Sequence, residues 1–554
     1  MRIRPKTISI WFKAVIYTTT LYWLCGFYYG WVDDVWFDMT LAGKLISSGD
    51  AHPGFFWGIL SILIHGLYET LPNWPIYGMF YVLIILWIHL LAIPIIESIA
   101  RKVFKDYFLQ IILSWLCLSF FLWPHLFAAN LTTLSILLGG LSIIHFLQFT
   151  QENHNPLSVH WVTLACGLFV AFCMRFTIAI VLAPLLAIAI LRAVQYGKKR
   201  VIMVSLTIVL TFGLPFLATM GTYNSSFQKQ HVKLIQVLDS DVGLRINDVH
   251  SREGIKDLAL YTWLLGDTSL WGTQRLDDKL VSIEYSLADK WQTNVTNAKQ
   301  RYPSNYRPEA NWFWRATLYI LLSLVVLLYL LFTHSLNVSL LVLSGLTILT
   351  ILFLGIAYKL EGRAILPMLV LVLIYLLSSI PHQHFVKGEK WAWATGFVMV
   401  IFVTASSWKL YQIGHAYDLE VNRKKAWVDS LNTRYSNEVV SVDLFAMTLF
   451  HGSLTEGLNM PNNVELTSYP ELWGVLQALK EGGDLPSPPD YFSSAAQNKI
   501  YYLGPQFRVA MLENLLNEVY NTPISFEKIE DCPIEYSFTW DPLNLGIYQI
   551  NLEQ

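Results

Sequence analysis

Two adjacent carboxylates, Asp33 and Asp34, stand directly after the first long apolar stretch of the chain, in the run Gly-Trp-Val-Asp-Asp-Val-Trp-Phe. Paired carboxylates at a membrane boundary are costly unless they are solvated, paired or bound to a metal. Solvated there, one can take the proton of an incoming hydroxyl while the other plays a different part. A plainer reading has them capping the positive end of a helix over 35–46. Far along the chain, Arg363 lies in Lys-Leu-Glu-Gly-Arg-Ala-Ile-Leu-Pro, just before a strongly apolar helix. An arginine at such a lip can clamp a phosphate through its planar fork, or pair with Glu361 two residues earlier. Arg175 separates two apolar stretches, 159–174 and 176–191, in a connection with almost no other polar residue. Whether it marks a tight turn or faces the bundle, its depth is that of a lipid phosphate.

Secondary candidates cluster near the same level. His52, Tyr68 and Glu69 lie in the segment after the acidic pair, and His125, Asn130 and Thr132 at a later turn. Interfacial His and Tyr more often anchor than catalyse. In a second polar segment, Tyr261, Trp263 and Asp267 offer aromatic and acidic groups suited to a sugar ring, or the packed face of an amphipathic helix. Glu97, near a helix end, is expected to pair with Arg101.

The elements that must position these groups are membrane helices. The 554 residues are 54% hydrophobic and 14% charged, with a mean hydropathy of +0.44. That charge content is far below the quarter or so of soluble domains, and lipid is the solvent that makes it sensible. A formal charge of −2 gives no footprint for nucleic acid. Apolar stretches near the ~20 residues of a spanning helix fall at about 9–30, 76–98, 107–126, 128–148, 158–174, 176–194, 201–222, 313–333, 336–357, 364–382 and 391–411. The expected fold is therefore an all-α polytopic membrane bundle of about eleven helices. The first apolar run follows Arg2, Arg4 and Lys6, and no small-residue cleavage site ends it, so it reads as a retained helix.

Lys and Arg near the helix ends set the orientation. A cytoplasmic N-terminus puts Arg101, Lys102, Lys105, Arg192, Lys198–Arg200, Lys387 and Lys390 inside. The stretch 55–71, if spanning, would reverse the later loops, so it is expected to lie in the outer interface. Outer segments then cover about 31–75 and 223–311. From about 413 strand-like runs at 438–445, 499–503, 524–529 and 546–551 alternate with helical ones at 471–480 and 507–519. These predict a small C-terminal α/β domain over 413–554, outside the membrane, after a membrane module over 1–412. The five cysteines supply neither a disulfide framework nor zinc spacing, which points to a bacterial plasma membrane.

Taken together, these residues resemble the GT-C superfamily of polytopic membrane glycosyltransferases. The acidic pair opens the outer loop after the first helix, and that loop holds membrane-parallel helices. Glu361-Gly-Arg363-Ala-Ile-Leu-Pro367 looks like the Arg-aromatic-x-Leu-Pro pattern at the outer start of a late helix, with Ala364 in the aromatic position. No Trp-Trp-Asp-type motif follows, which argues against the oligosaccharyltransferase branch and protein N-glycosylation. The resemblance implies a sugar transferred from a polyprenyl-phosphate donor to an acceptor hydroxyl at the outer face, in cell-envelope polysaccharide or related chemistry. It implies Asp33 or Asp34 as base and Arg363 on the donor phosphate; a similar role for Arg175 follows from its depth. The expected partners are the bilayer, the polyprenyl-linked donor, and a glycan, lipid or protein acceptor, with no nucleic acid. No cofactor is expected, with room left for a divalent cation. Two rival classes remain: a flippase for a lipid-linked sugar, and an inactive assembly protein with the same fold.

Overall fold

The computed structural model describes residues 5–29, 38, 41–42, 58–149, 159–222, 288, 291–292, 295, 312–357, 360–381, 389–435, 438–442, 449, 453–455, 464–466, 500–506, 509, 513, 524–532 and 545–552. Every apolar stretch picked out above carries a helix. In chain order these are α1 (Pro5–Cys25), α3 (Ile76–Val103), α4 (Tyr107–Cys117), α5 (Leu131–Phe149), α6 (Val159–Met174) and α7 (Ala179–Gln195). They continue with α8 (Lys198–Thr222), α9 (Trp312–Phe332), α10 (Val338–Ala357), α11 (Gly362–Ser378) and α12 (Glu389–Arg434). Among the described residues, eight helical runs are long and apolar enough to cross a membrane, while α6 and α11 are shorter apolar helices. Helix α2 (Gly58–Thr70) has 13 residues. At 1.5 Å per residue it spans about 20 Å against a hydrocarbon core of about 30 Å, too short to cross.

The bundle is built around α5, which is buried on every side along most of its length. It packs against α3, α6, α7 and α11. The outermost helices are the opposite case. Leu206 and Val209 on α8, Trp314 and Phe332 on α9, and Trp393, Phe397 and Phe402 on α12 are exposed. Apolar faces this extensive, left uncovered by protein, require lipid; this is an integral membrane protein.

Glu97 pairs differently from expectation. Its carboxylate takes the ammonium of Lys13 on α1, while the Arg101 Nε donates to the Glu97 main-chain carbonyl at 3.3 Å. Because α1 packs along α3, a cation from the neighbouring helix occupies the position that the i, i+4 pattern assigns to Arg101.

At one end of the bundle the chain makes two short strands. Gly26, with φ of +67°, closes α1 in the left-handed conformation. Its N–H donates to the Tyr22 carbonyl at 2.7 Å. Strand β1 (Tyr28–Tyr29) then pairs in parallel with β2 (Ala128–Ala129), Tyr28 against Ala128 and Tyr29 against Ala129. The helix over the last apolar stretch does not stop near 412. Helix α12 runs unbroken for 46 residues to Arg434, because a charged helical segment with the i, i+4 pair Glu420–Lys424 follows the apolar one with no proline between them.

Beyond it lies a five-stranded mixed sheet, β3 (Val439–Val442), β4 (Val464–Leu466), β5 (Ile500–Pro505), β6 (Ile524–Asp531) and β7 (Leu545–Leu552), in the order β4-β3-β5-β7-β6. Strand β3 pairs in parallel with β4 and β5, and β7 antiparallel with β5 and β6. Four strands fall on the strand-like runs of the sequence; β4 was not among them. The expected helix at 471–480 lies outside the described residues, as does most of that at 507–519. The C-terminal part touches the bundle at Leu454, whose N–H donates to the Phe27 carbonyl at 2.9 Å. Gly78 at the start of α3 permits that approach, since a Cβ there would sit 1.8 Å from the Leu454 carbonyl oxygen.

Candidate functional site

The N-terminus of α5 is where groups distant in sequence meet. The chain reaches it from α4 through a π turn (Leu118–Leu122), a tight turn at Trp123–His125, and β2. Asn130 begins the helix: its Oδ1 accepts the Thr133 N–H at 2.8 Å, an N-cap that satisfies one of the orphan donors of the first turn. The next hydroxyls each hold an element that carries an arginine. Thr132 Oγ1 accepts a hydrogen bond from Arg175 Nη1. Thr133 Oγ1 donates to the Arg363 main-chain carbonyl at 3.0 Å. Arg175 also donates from Nε to Thr177 Oγ1 at 3.3 Å. It stands in extended backbone, as the residue that separates α6 from the next turn.

Glu361, immediately before α11, accepts from Arg363 Nε. The pairing that the sequence offered for Arg363 is therefore present. It uses one edge of the fork and orients the guanidinium at the mouth of the helix. The α5 N-terminus contributes its own partial positive charge. The Arg175 side chain and the backbone that carries Arg363 bring two guanidiniums, against the one Glu361 carboxylate, to the α5 N-terminus, a setting suited to an anionic group.

Asp33, Asp34, His52 and Asp267 lie outside the described residues, as do Tyr261 and Trp263. The described residues that flank the acidic pair are firmly held. Tyr29 is in β1, and its hydroxyl donates to Asp38 Oδ2 at 2.9 Å. Asp38 is buried and also accepts from the Tyr68 hydroxyl. Tyr68 in turn accepts the Tyr77 N–H at 3.0 Å. A buried carboxylate needs such donors, and two phenols supply them. Burial and then the Asp38 carboxylate push the Tyr68 phenol well above its ordinary range. It therefore remains a donor at any physiological pH. Tyr77 stacks on Tyr29, with ring centroids 5.9 Å apart, and bonds to the Tyr81 hydroxyl at 2.7 Å.

The remaining candidates separate by role. Tyr68 is a structural partner of Asp38. Glu69 is exposed and pairs with His65 at 3.6 Å, one turn back on α2. His125 is buried, and its Nε2 has no hydrogen-bond partner among the described residues. Asn130 spends its carbonyl oxygen on the cap. Among the described residues no three His, Cys, Asp or Glu side chains gather as metal ligands would.

Sequence reasoning missed three residues here. Asp38 carries a signal only in hindsight, as a third acid four residues after Asp34. Tyr29 reads as one more interfacial aromatic. Arg315, the fourth residue of α9, was readable as a cation inside an apolar run but was hidden by the tryptophans around it. It lies within electrostatic reach of His125.

No protein-family model matches the chain, and no curated protein matches it. Among solved structures, the chain is similar to the archaeal oligosaccharyltransferase AglB from Archaeoglobus fulgidus, determined in complex with an inhibitory peptide and a dolichol-phosphate. The TM-score is 0.40 and the identity 12%, over 93% of this chain and 71% of that one.

Proposed function

We propose that this protein is a glycosyltransferase that moves a sugar from a polyprenyl-phosphate carrier to an acceptor hydroxyl at the outer face of a membrane, with inversion at the anomeric carbon. The carboxylate of Asp33 or Asp34 takes the acceptor's proton. The acceptor oxygen forms a bond to the anomeric carbon as the bond from that carbon to the carrier phosphate oxygen breaks. The phosphate leaves with the electron pair, its growing charge met by Arg363 and Arg175 beside the α5 N-terminus. The carrier's tail lies between helices, so the donor enters sideways from the lipid.

The observation that carries this reading is the convergence on Thr132 and Thr133. These adjacent residues hold Arg175 and the Arg363 backbone, and the same end of the bundle holds Tyr29 through its pairing with Ala129. Asp33 follows Tyr29 by four positions, at most about 14 Å of extended chain. That short tether supports assigning the acidic pair and the arginines to one site. The resemblance of both motifs to GT-C enzymes supports the same assignment.

The test is a reconstitution with a polyprenyl-phosphate sugar in proteoliposomes, with donor and acceptor masses followed over time. Transfer predicts free polyprenyl phosphate and an acceptor heavier by one sugar residue. Movement of the donor between leaflets with every mass unchanged would identify a flippase. Binding without change in mass or leaflet would identify an assembly protein.

A further inference from the structure

One buried donor beside the candidate site has no acceptor among the described residues. Helix α9 begins at Trp312 and packs along α11. Trp312 is 3% exposed, yet its indole Nε1–H makes no hydrogen bond. An indole near a membrane boundary normally turns that N–H to water or headgroups. A buried one without an acceptor is costly and calls for an explanation.

Its position supplies one. The Trp312 side chain lies against Gly362, the first residue of α11. A Cβ on Gly362 would sit 2.7 Å from Trp312 Cγ and 3.2 Å from its Cδ1, so only glycine admits the ring here. Cδ1 is bonded to Nε1, so the edge of the indole that leads to the N–H is the one nearest the start of α11. The next residue is Arg363, whose main-chain carbonyl accepts from Thr133 Oγ1 at 3.0 Å. Indole, arginine and the α5 N-terminus therefore share one corner of the bundle. Glu361, the residue at the N-cap of α11, makes no side-chain cap; its carboxylate takes Arg363 Nε instead. The positive end of the α11 dipole thus lies beside the unpartnered indole donor. Plain packing accounts for the glycine, since a small residue lets any aromatic ring approach a helix. It does not account for the N–H.

We infer that Trp312 is a substrate-binding residue whose indole N–H donates to an oxygen of the carrier phosphate. A helix N-terminus and a guanidinium favour an anion over a neutral hydroxyl. A phosphate oxygen also accepts a hydrogen bond without needing a donor in return. The inference rests on the glycosyl-transfer reading for the identity of the carrier, and it adds a neutral donor to the arginines that hold the leaving group.

The experiment uses the full chain in nanodiscs, titrated with polyprenyl monophosphate and read by native mass spectrometry. Trp312 is replaced by benzothienylalanine, which keeps the shape of the bicyclic ring and puts sulfur in place of the N–H. Trp312→Phe is prepared beside it. The benzothienylalanine protein is expected to melt as wild type does and to bind polyprenyl monophosphate about tenfold more weakly, the loss of one hydrogen bond to a charged group. Trp312→Phe should lose at least as much. Unchanged affinity in the benzothienylalanine protein overturns the inference; if Arg363→Ala still weakens binding in the same titration, the transferase reading stands without it. Competition by inorganic phosphate at equal concentration would make this a site for free phosphate and overturn the assignment to the carrier. Binding that depends on Trp312, in a protein that transfers no sugar, would support the inference and overturn only the transferase reading.

Discussion

Thr132 and Thr133 carry more of the arrangement than any charged residue. Between them the two hydroxyls fix a side chain from the turn after α6 and the backbone at the start of α11. Arg363 and Arg175 were readable from sequence because a cation at the lip of an apolar helix is expensive and conspicuous. Asp38 and Tyr29 were not. Burial and pairing define them, and neither shows in residue type alone. Arg363→Ala should lower kcat/KM for a polyprenyl-phosphate sugar by about 10²–10³, the loss typical of one donor to a developing oxyanion. Arg363→Lys should recover only part of it, because an ammonium cannot reproduce the fork. Steady-state kinetics on the three proteins decides; equal rates for Lys and Ala variants and wild type would remove Arg363 from the site.

Among the elements, α5 is the scaffold. Its all-round apolar sequence predicts a buried helix, and its cap at Asn130 sets where that helix begins. Asn130→Ala should cost about 1 kcal/mol of stability through the lost cap. It should also lower transfer activity more than that cost alone accounts for, because the first turn presents Thr132 and Thr133. Thermal melting in detergent beside a turnover assay separates the two effects. The helices were legible because runs of about twenty apolar residues have few other uses. Their ends were less so. In α12 the chemistry changes near 412 while the backbone continues, since charged residues at i, i+4 spacing sustain a helix as well as apolar ones do. The Lys13–Glu97 pair shows the same limit: spacing within one helix cannot reveal a partner on its neighbour.

In the whole molecule, Arg101, Lys102 and Lys198–Arg200 at one end of the bundle and the sheet with the candidate site at the other give a polarity. Strands β3, β5, β6 and β7 were readable from alternating apolar runs. Their mixed order, with β4 at one edge, was not, because strand pairing depends on contacts far apart in the chain. The segment at Leu454 meets β1, so the C-terminal part and the candidate site share a side of the membrane. With the N-terminus cytoplasmic, as the positive-inside pattern predicts, that side is expected to be the outer one. A membrane-impermeant maleimide applied to intact cells should label Thr455→Cys, in a background without native cysteines, and should not label Lys198→Cys. The reverse pattern would invert the topology and place the site in the cytoplasm.

The central claim is that a carboxylate after α1 and the guanidinium before α11 act on one sugar. It is tested most directly by the purified Asp33→Asn, Asp34→Asn double variant, assayed for sugar transfer and for donor binding side by side. Transfer is expected to fall to background while the polyprenyl-phosphate donor still binds through Arg363 and Arg175. Transfer at the wild-type rate in that variant would contradict it.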